Sequence, residues 1–177
     1  FSCHFAVYHI FLSSLLYNKS MNYSILTDQL ISLIDPELPF ISNLSNLLAC
    51  LHNELPSLNW TGIYYYSKNS EVLYLGPFQG KPACTIIPLG KGVVGTCALK
   101  KKSIIVQNVH TFPDHIACDS ASKSEFTAPI FKNDKLYAVL DIDSDIYSRF
   151  TEQDIQFLKK TASLLSDLIS SAKQEIS

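Results

Sequence analysis

The chain has 177 residues, of which 47% are hydrophobic and 17% are charged. This suits one compact domain with a sizeable core and excludes an intrinsically disordered chain. The formal net charge is −2, and no basic run exceeds Lys100-Lys101-Lys102, so the composition argues against a nucleic-acid-binding protein. Five cysteines without a C-x-x-C pair argue against a secreted disulfide framework and predict reduced thiols in a cytoplasmic protein.

The first twenty residues precede Met21, the only methionine of the sequence. Their apolar stretch is too short to span a bilayer and lacks the basic start of a signal peptide. We expect residues 1–20 to be a non-native or upstream leader and residues 21–177 to form a single domain. No other segment resembles a membrane span, so no membrane partner is expected.

Hydrophobic periodicity predicts two helices, three strands, a short helix, three strands and a last helix. The predicted ranges are helices 22–35 and 39–55, strands 60–66, 72–78 and 84–88, helix 93–100, strand 103–106, a long loop 107–122, and hairpin strands 125–131 and 135–143. Successive strands are mostly joined by short turns. The order therefore favours an α+β fold, with a mainly antiparallel sheet of about six strands flanked by helices.

A capping signal predicts the start of the last helix. Thr151 is a good N-cap, and Asp154 three residues later forms a partial capping box. The apolar stripe that follows consists of Ile155, Leu158, Ala162, Leu165, Ile169, Ala172 and Ile176. This stripe most simply packs on the sheet, and a dimer seam is the alternative.

The cysteines are the first candidates for chemistry. Cys118 lies in the long loop, where His115 three residues earlier can help to ionise its thiol. The alternative is a buried, inert thiol. Cys84, placed in a strand, is more simply a small core residue.

Two other cysteine chemistries are weaker. Structural zinc usually takes closely paired ligands from tight turns, and the cysteines and histidines here offer no such pair, so no metal is expected. A cysteine-hydrolase dyad of Cys118 with His115 or His110 lacks a recognisable local signature.

Acidic residues form a second cluster of candidates. Asp141 and Asp143 alternate at the end of a predicted strand and therefore share one face. Glu125 lies near the same end of the partner strand. Three converging carboxylates repel one another, so one can stay protonated near neutral pH. A protonated carboxyl can protonate a sulfoxide oxygen while a thiolate attacks the sulfur, and the remaining carboxylates can hold an ammonium group. Solvated acids at a strand end are the alternative.

These features occur together in a pattern that resembles the GAF-domain free methionine-R-sulfoxide reductases. The resemblance runs from about Met21 to the end of the chain. The matching stretches are WTGIYY (60–65), LGPFQGKPAC (75–84), IPLGKGVVGT (87–96), VHTFPDHIACDSASKSE (109–125), LDIDS (140–144) and RFTEQD (149–154). GAF domains in general bind small ligands without catalysis, and they do not carry this combination of motifs.

The resemblance implies a mechanism and its residues. Cys118 matches the cysteine that attacks the sulfoxide, which leaves a sulfenic acid and releases methionine. A second thiol then closes a disulfide, which thioredoxin reduces, so that no bound cofactor is needed. Family members commonly form homodimers. Glu125, Asp141 and Asp143 match the acids that bind the amino group and the sulfoxide, and the aromatics Trp60 and Tyr64 match those that enclose the methyl-sulfur end.

One departure from the family pattern concerns the disulfide partner. The family has cysteine at the position of Val94. We expect Cys97, one helical turn further on, to replace it, with Cys84 as the alternative. Loss of this cysteine also leaves a second hypothesis for the protein as a whole, a non-catalytic GAF module that binds or senses an amino acid.

Overall fold

The computed structural model describes residues 21–116 and 118–171, and the predicted leader lies outside them. The elements are α1 (Tyr23–Ser32), α2 (Phe40–Glu54), β1 (Leu58–Ser67), β2 (Val72–Gly80), β3 (Ile86–Pro88), α3 (Gly92–Lys100), β4 (Ile104–Val106), β5 (Ser124–Lys132), β6 (Lys135–Ser144) and α4 (Glu152–Ser171). The long loop between β4 and β5 contains one 3-10 turn, Val109–Thr111. The predicted order of helices and strands is confirmed.

The third strand is shorter than predicted. It begins at Ile86, and Cys84 lies before it, in the connection from β2. The backbone carbonyl of Cys84 accepts a hydrogen bond of 3.1 Å from the Tyr64 hydroxyl, whereas the next carbonyl, that of Thr85, accepts from the Leu75 amide of β2 at 3.0 Å. The prediction that Cys84 belongs to a strand is therefore wrong.

The six strands form one sheet in the order β3-β2-β1-β6-β5-β4, and every neighbouring pair is antiparallel. The central strands are thus β1 and β6, which come from distant parts of the sequence. Asn133 and Asp134 form the β5–β6 turn and both have positive φ, 49° and 61°, as a two-residue hairpin turn of type I′ requires.

One face of the sheet packs against α1, α2 and α4. It supplies Ile63, Phe126, Ala128, Ile130, Ala138, Leu140 and Ile142 to the main hydrophobic core. Most of the described stripe of α4 is buried in this core: Leu158, Ala162, Leu165 and Ile169. The stripe residues Ala172 and Ile176 lie outside the described residues.

The capping box of α4 is confirmed by two reciprocal hydrogen bonds. The amide of Thr151 donates to Asp154 Oδ2 at 2.8 Å, and the amide of Asp154 donates to Thr151 Oγ1 at 3.3 Å. Tyr23 and Arg149 also donate to this carboxylate. In the part of the chain that the structure describes, no helix combines the length and apolar character needed to cross a membrane.

The opposite face of the sheet carries a smaller core with α3. Trp60, Tyr64, Leu73 and Val139 come from the sheet, and Val94, Cys97 and Ala98 from α3. The predicted acids and cysteines surround this second core, so the candidate site lies on this face.

Candidate active site

Strand register brings the three predicted acids together. In β6, Asp143 lies between Trp60 of β1 and Glu125 of β5, as the pairing registers of both neighbours show. Asp141, two residues earlier, lies between Gly62 of β1 and Thr127 of β5. Because residues two apart in a strand share a face, Asp141 and Asp143 point to the same side.

Glu125, Asp141 and Asp143 each place one carboxylate oxygen within 4.8 Å of the corresponding oxygens of the other two. Burial raises the pKa of Asp141 to about 7. Burial also raises the pKa of Glu125 well above its ordinary value, and repulsion from the two aspartates adds to this. The pKa of Asp143 is raised by burial and by the neighbouring Asp141 and Asp119. The cluster therefore retains protons at pH values where isolated carboxylates are ionised.

This acid cluster has an unsatisfied acceptor. Asp141 Oδ1 is buried and has no hydrogen-bond partner among the described residues. A buried, unpaired carboxylate oxygen is costly unless a ligand, a proton or a cation occupies it. Three carboxylates suit either a hard metal cation or an ammonium group.

Aromatic side chains form the wall next to the acids. The ring of Trp60 stacks on those of Tyr64 and Phe78, with centroid distances of 5.8 and 5.4 Å. Gly62 makes this stack possible, because a Cβ at this position would clash with the rings of Trp60 and with Phe78. Burial and the three nearby carboxylates raise the pKa of Tyr64, which therefore stays a neutral phenol.

Cys118 and Cys84 are joined by a disulfide across a sequence separation of 34 residues, with a Cα–Cα distance of 5.4 Å. The structure thus shows the oxidised state of this pair. Cys118 lines one pocket together with the three acids, Trp60 and Tyr64. The tyrosine also holds the Cys84 segment through its hydroxyl.

Cys97 is placed differently from our expectation. It is a free thiol with 0% exposure inside α3, and Cys118 is paired with Cys84 instead. Burial raises the pKa of Cys97 to about 12. Its helical position, one turn from the family's cysteine position, directs it into the smaller core, where it packs as an apolar residue.

His115 also lines the pocket. Burial and the nearby His110 lower its pKa, so the imidazole is neutral at pH 7. A neutral imidazole can accept the proton of a thiol but does not stabilise the thiolate by positive charge.

Sequence reasoning missed the polar contacts that hold the Cys118 loop. Asp119 accepts hydrogen bonds from the amide of Ala121 at 3.0 Å and from the side chain of Asn59 at 3.2 Å. Its carboxylate is also 3.7 Å from Lys81 Nζ, and together these contacts lower its pKa. The aspartate immediately after Cys118 was visible in the sequence, but its side-chain partners Asn59 and Lys81 are 60 and 38 residues away.

Comparisons with known proteins agree with this geometry. Residues 40–169 match the GAF domain family. The chain is 39% identical to the free methionine-R-sulfoxide reductase of Escherichia coli over 86% of this chain and 91% of that protein. It is 41% identical to the enzyme of the same name from Saccharomyces cerevisiae, over 85% and 89%.

A solved structure of a free methionine-R-sulfoxide reductase from Neisseria meningitidis, in complex with its substrate, superposes with a TM-score of 0.79. It is 32% identical in sequence, and the match covers 91% of this chain and 98% of that one. The protein belongs to the GAF domain family. Within that family, it belongs to the group of the free methionine-R-sulfoxide reductases.

Proposed function

We propose that this protein reduces free methionine-R-sulfoxide to methionine, with Cys118 as the nucleophile. One observation carries the proposal: a single pocket brings Cys118 together with three converging acids and an aromatic wall. Each component matches one part of a sulfoxide amino acid. Cys118 matches the reacting sulfur, the acids match the ammonium group, and the aromatic wall matches the methyl group.

The acids have two tasks in this proposal. Their ionised members pair with the substrate's ammonium group, which satisfies the unpaired oxygen of Asp141. A member that stays protonated donates its proton to the sulfoxide oxygen, and the raised pKa of Glu125 favours Glu125 for this role. The rings of Trp60 and Tyr64 pack against the methyl-sulfur end.

The first chemical step transfers one oxygen atom. The Cys118 thiolate attacks the sulfoxide sulfur, the oxygen gains a proton from the acid cluster, and the S–O bond of the substrate breaks as the oxygen passes to Cys118. The sulfoxide is reduced by two electrons to methionine, and the thiol is oxidised to a sulfenic acid.

Cys84 then resolves the sulfenic acid. Its thiol attacks the sulfur of Cys118, a disulfide forms, and water leaves with the oxygen. The disulfide present in the structure supports this assignment. The buried Cys97, whose pKa is raised to about 12, is a poor source of thiolate.

The cycle closes when an external dithiol supplies two electrons and two protons to the disulfide. Thioredoxin is the reductant we propose, acting on a homodimeric, cytoplasmic enzyme that needs no bound cofactor. The resemblance supports the reductant and the dimer, and the reduced thiols expected from the composition support the location.

A coupled assay tests the proposal. Reduced thioredoxin and its NADPH-dependent reductase are mixed with the protein, and NADPH oxidation is followed on adding free R-sulfoxide, free S-sulfoxide or N-acetylated R-sulfoxide of methionine. Turnover is expected with the free R form alone, and Cys118→Ser is expected to abolish it. Tight binding of the R-sulfoxide without release of methionine would contradict the proposed enzymatic function and favour a non-catalytic binding module.

A further inference from the structure

Two consecutive residues of β1 hold the two segments that carry the cysteine pair. The side chain of Asn59 donates hydrogen bonds to Asp119 Oδ2 at 3.2 Å and to Ser122 Oγ at 2.9 Å. The indole nitrogen of Trp60 donates to the backbone carbonyl of Lys81 at 3.2 Å. Asp119 directly follows Cys118, so this start of β1 contacts both sides of the disulfide.

An irregularity in β1 makes this double contact possible. Consecutive side chains of a regular strand point to opposite faces. Here the pairing with β6 shifts, since Leu58 pairs with Ser144 and Trp60 pairs with Asp143. Two steps along β1 thus match one step along β6, and Asn59 is the extra residue of a β-bulge. A bulge redirects side chains locally, and Asn59 and Trp60 both reach the cysteine-bearing segments.

The amide of Asn59 is bonded on one side only. Its Nδ2 makes two hydrogen bonds, whereas its Oδ1 is buried without a partner among the described residues. Asn43, a buried asparagine, both accepts from the Asp35 amide at 3.0 Å and donates to the Asp35 carbonyl at 2.8 Å. A buried unpaired acceptor opposes stability, so stability alone does not account for Asn59.

An ion pair also joins the Cys84 segment to the Cys118 loop, but it is a weaker contact. Lys81 Nζ lies 3.7 Å from Asp119 Oδ2, and the lysine side chain is 71% exposed. Exposed ion pairs contribute little. The two hydrogen bonds from the part-buried Asn59 are therefore a stronger restraint on the Cys118 loop than this ion pair.

We propose that Asn59 is a positioning residue for disulfide closure: through Asp119 and Ser122 it holds the Cys118 loop within reach of the Cys84 segment. The inference rests on the proposed function. Loss of the Asn59 donor lowers the effective concentration of the Cys84 thiol at the Cys118 sulfenic acid. Closure of the disulfide then slows more than release of methionine.

The test separates these two steps in the full chain. Reduced protein is mixed with one equivalent of free methionine-R-sulfoxide and quenched at intervals, and methionine and disulfide are quantified by mass spectrometry after thiol alkylation. Asn59→Ala removes the side-chain amide. Asn59→Asp keeps the size of the side chain but replaces the Nδ2 donor by a carboxylate oxygen. In both variants the rate of closure is expected to fall about tenfold relative to methionine release.

Asn43→Ala is the matched control, because it removes a buried asparagine of α2, which packs on the main core and not on the smaller core beside Cys84. It is expected to lower thermal stability but to leave the ratio of the two rates at the parent value. The same ratio in the Asn59 variants as in the parent would overturn the inference, and so would an equal fall of both rates.

An equilibrium measurement tests Asn59 without any turnover. Titration with reduced and oxidised glutathione gives the stability of the Cys84–Cys118 disulfide. The Asn59 variants are expected to close about tenfold less favourably, a shift of about 30 mV, and an unchanged potential would contradict the inference. If the parent released no methionine, the proposed function would fail, while this titration would still decide the role of Asn59.

Discussion

The hydroxyl of Tyr64 donates a hydrogen bond of 3.1 Å to the backbone carbonyl of Cys84. The side chain that forms the wall of the pocket therefore also anchors the segment carrying the proposed resolving thiol. We expect Tyr64→Phe to slow disulfide closure several-fold and to cost about 1 kcal/mol of stability, the usual effect of one hydrogen bond. Rapid-quench thiol alkylation and urea unfolding measure the two effects. Tyr66→Phe, two residues further along β1, is the control, and equal behaviour of the two variants would contradict this role.

Substitution of each of the three cysteines near the site should have a different effect on turnover. Cys118→Ser is expected to release no methionine. Cys84→Ser should release up to one equivalent and then stop, since its sulfenic acid has no partner thiol. Cys97→Ala should continue to turn over with thioredoxin, at a stability cost of about 1 kcal/mol for the small cavity. If the Cys84→Ser variant turned over continuously with thioredoxin and the Cys97→Ala variant stopped after one equivalent, Cys97 would be the resolving residue.

The acid cluster predicts a pH dependence of stability. Burial raises the pKa of Asp141 to about 7, whereas an unfolded aspartate titrates near pH 4. Between these values the folded protein holds a proton that the unfolded chain has released, so the free energy of unfolding falls as the pH rises through this window.

Asp141→Asn removes this group from the titration. The variant is therefore expected to gain stability relative to the parent, by about 1 kcal/mol or more at pH 7.5 and by less at pH 5. Urea unfolding of the reduced proteins at both pH values measures the difference, with the exposed Asp145→Asn as the control. A gain that is larger at pH 5 would show that Asp141 is ionised in the folded state.

Selectivity for the free amino acid should depend on Asp143. Its carboxylate pairs with the substrate's ammonium group in the proposed complex, whereas N-acetylated sulfoxide has a neutral amide there. We expect Asp143→Asn to lower kcat/KM for the free sulfoxide about 100-fold, equivalent to about 2.7 kcal/mol. Activity on N-acetylated sulfoxide should change much less. An equal loss on both substrates would assign Asp143 to protonation of the sulfoxide instead.

The aromatic wall should be sensitive to a single methyl group beneath it. An alanine Cβ at position 62 would clash with the ring of Trp60 and with Phe78. We expect Gly62→Ala to displace the indole, to cost about 1–3 kcal/mol of stability and to raise KM. Thermal unfolding and steady-state kinetics check this, and an unchanged KM would show that the indole does not contact the substrate.

The sequence predicts the elements well where the signal is local. The capping residues Thr151 and Asp154 mark the start of α4 within one residue of its observed position, and the Asn133-Asp134 turn marks the β5–β6 hairpin. The same-face placement of Asp141 and Asp143 follows from strand alternation alone. These predictions succeed because capping, turns and alternation depend on residues a few positions apart.

The remaining features depend on contacts between distant segments. Placing Trp60 beside Asp143 requires the pairing of β1 with β6, and nothing local specifies it. The bulge at Asn59 and the hydrogen bond from Tyr64 to the Cys84 carbonyl, just before β3, are also tertiary effects. For Cys97, the spacing along a helix does not specify that this face of α3 is turned into the core.

In the proposed mechanism, substrate recognition and electron transfer depend on different kinds of structure. The acids lie on β5 and β6 within the sheet, whereas Cys84 and Cys118 lie on two connections outside it. Substitution of both cysteines is therefore expected to leave the acid cluster and its strands intact. On the proposed mechanism, the single substitution Cys118→Ser already turns the catalyst into a receptor that captures the amino acid without consuming it. Because binding and catalysis depend on different segments, a sensor and an enzyme could evolve from one another on this fold with few substitutions.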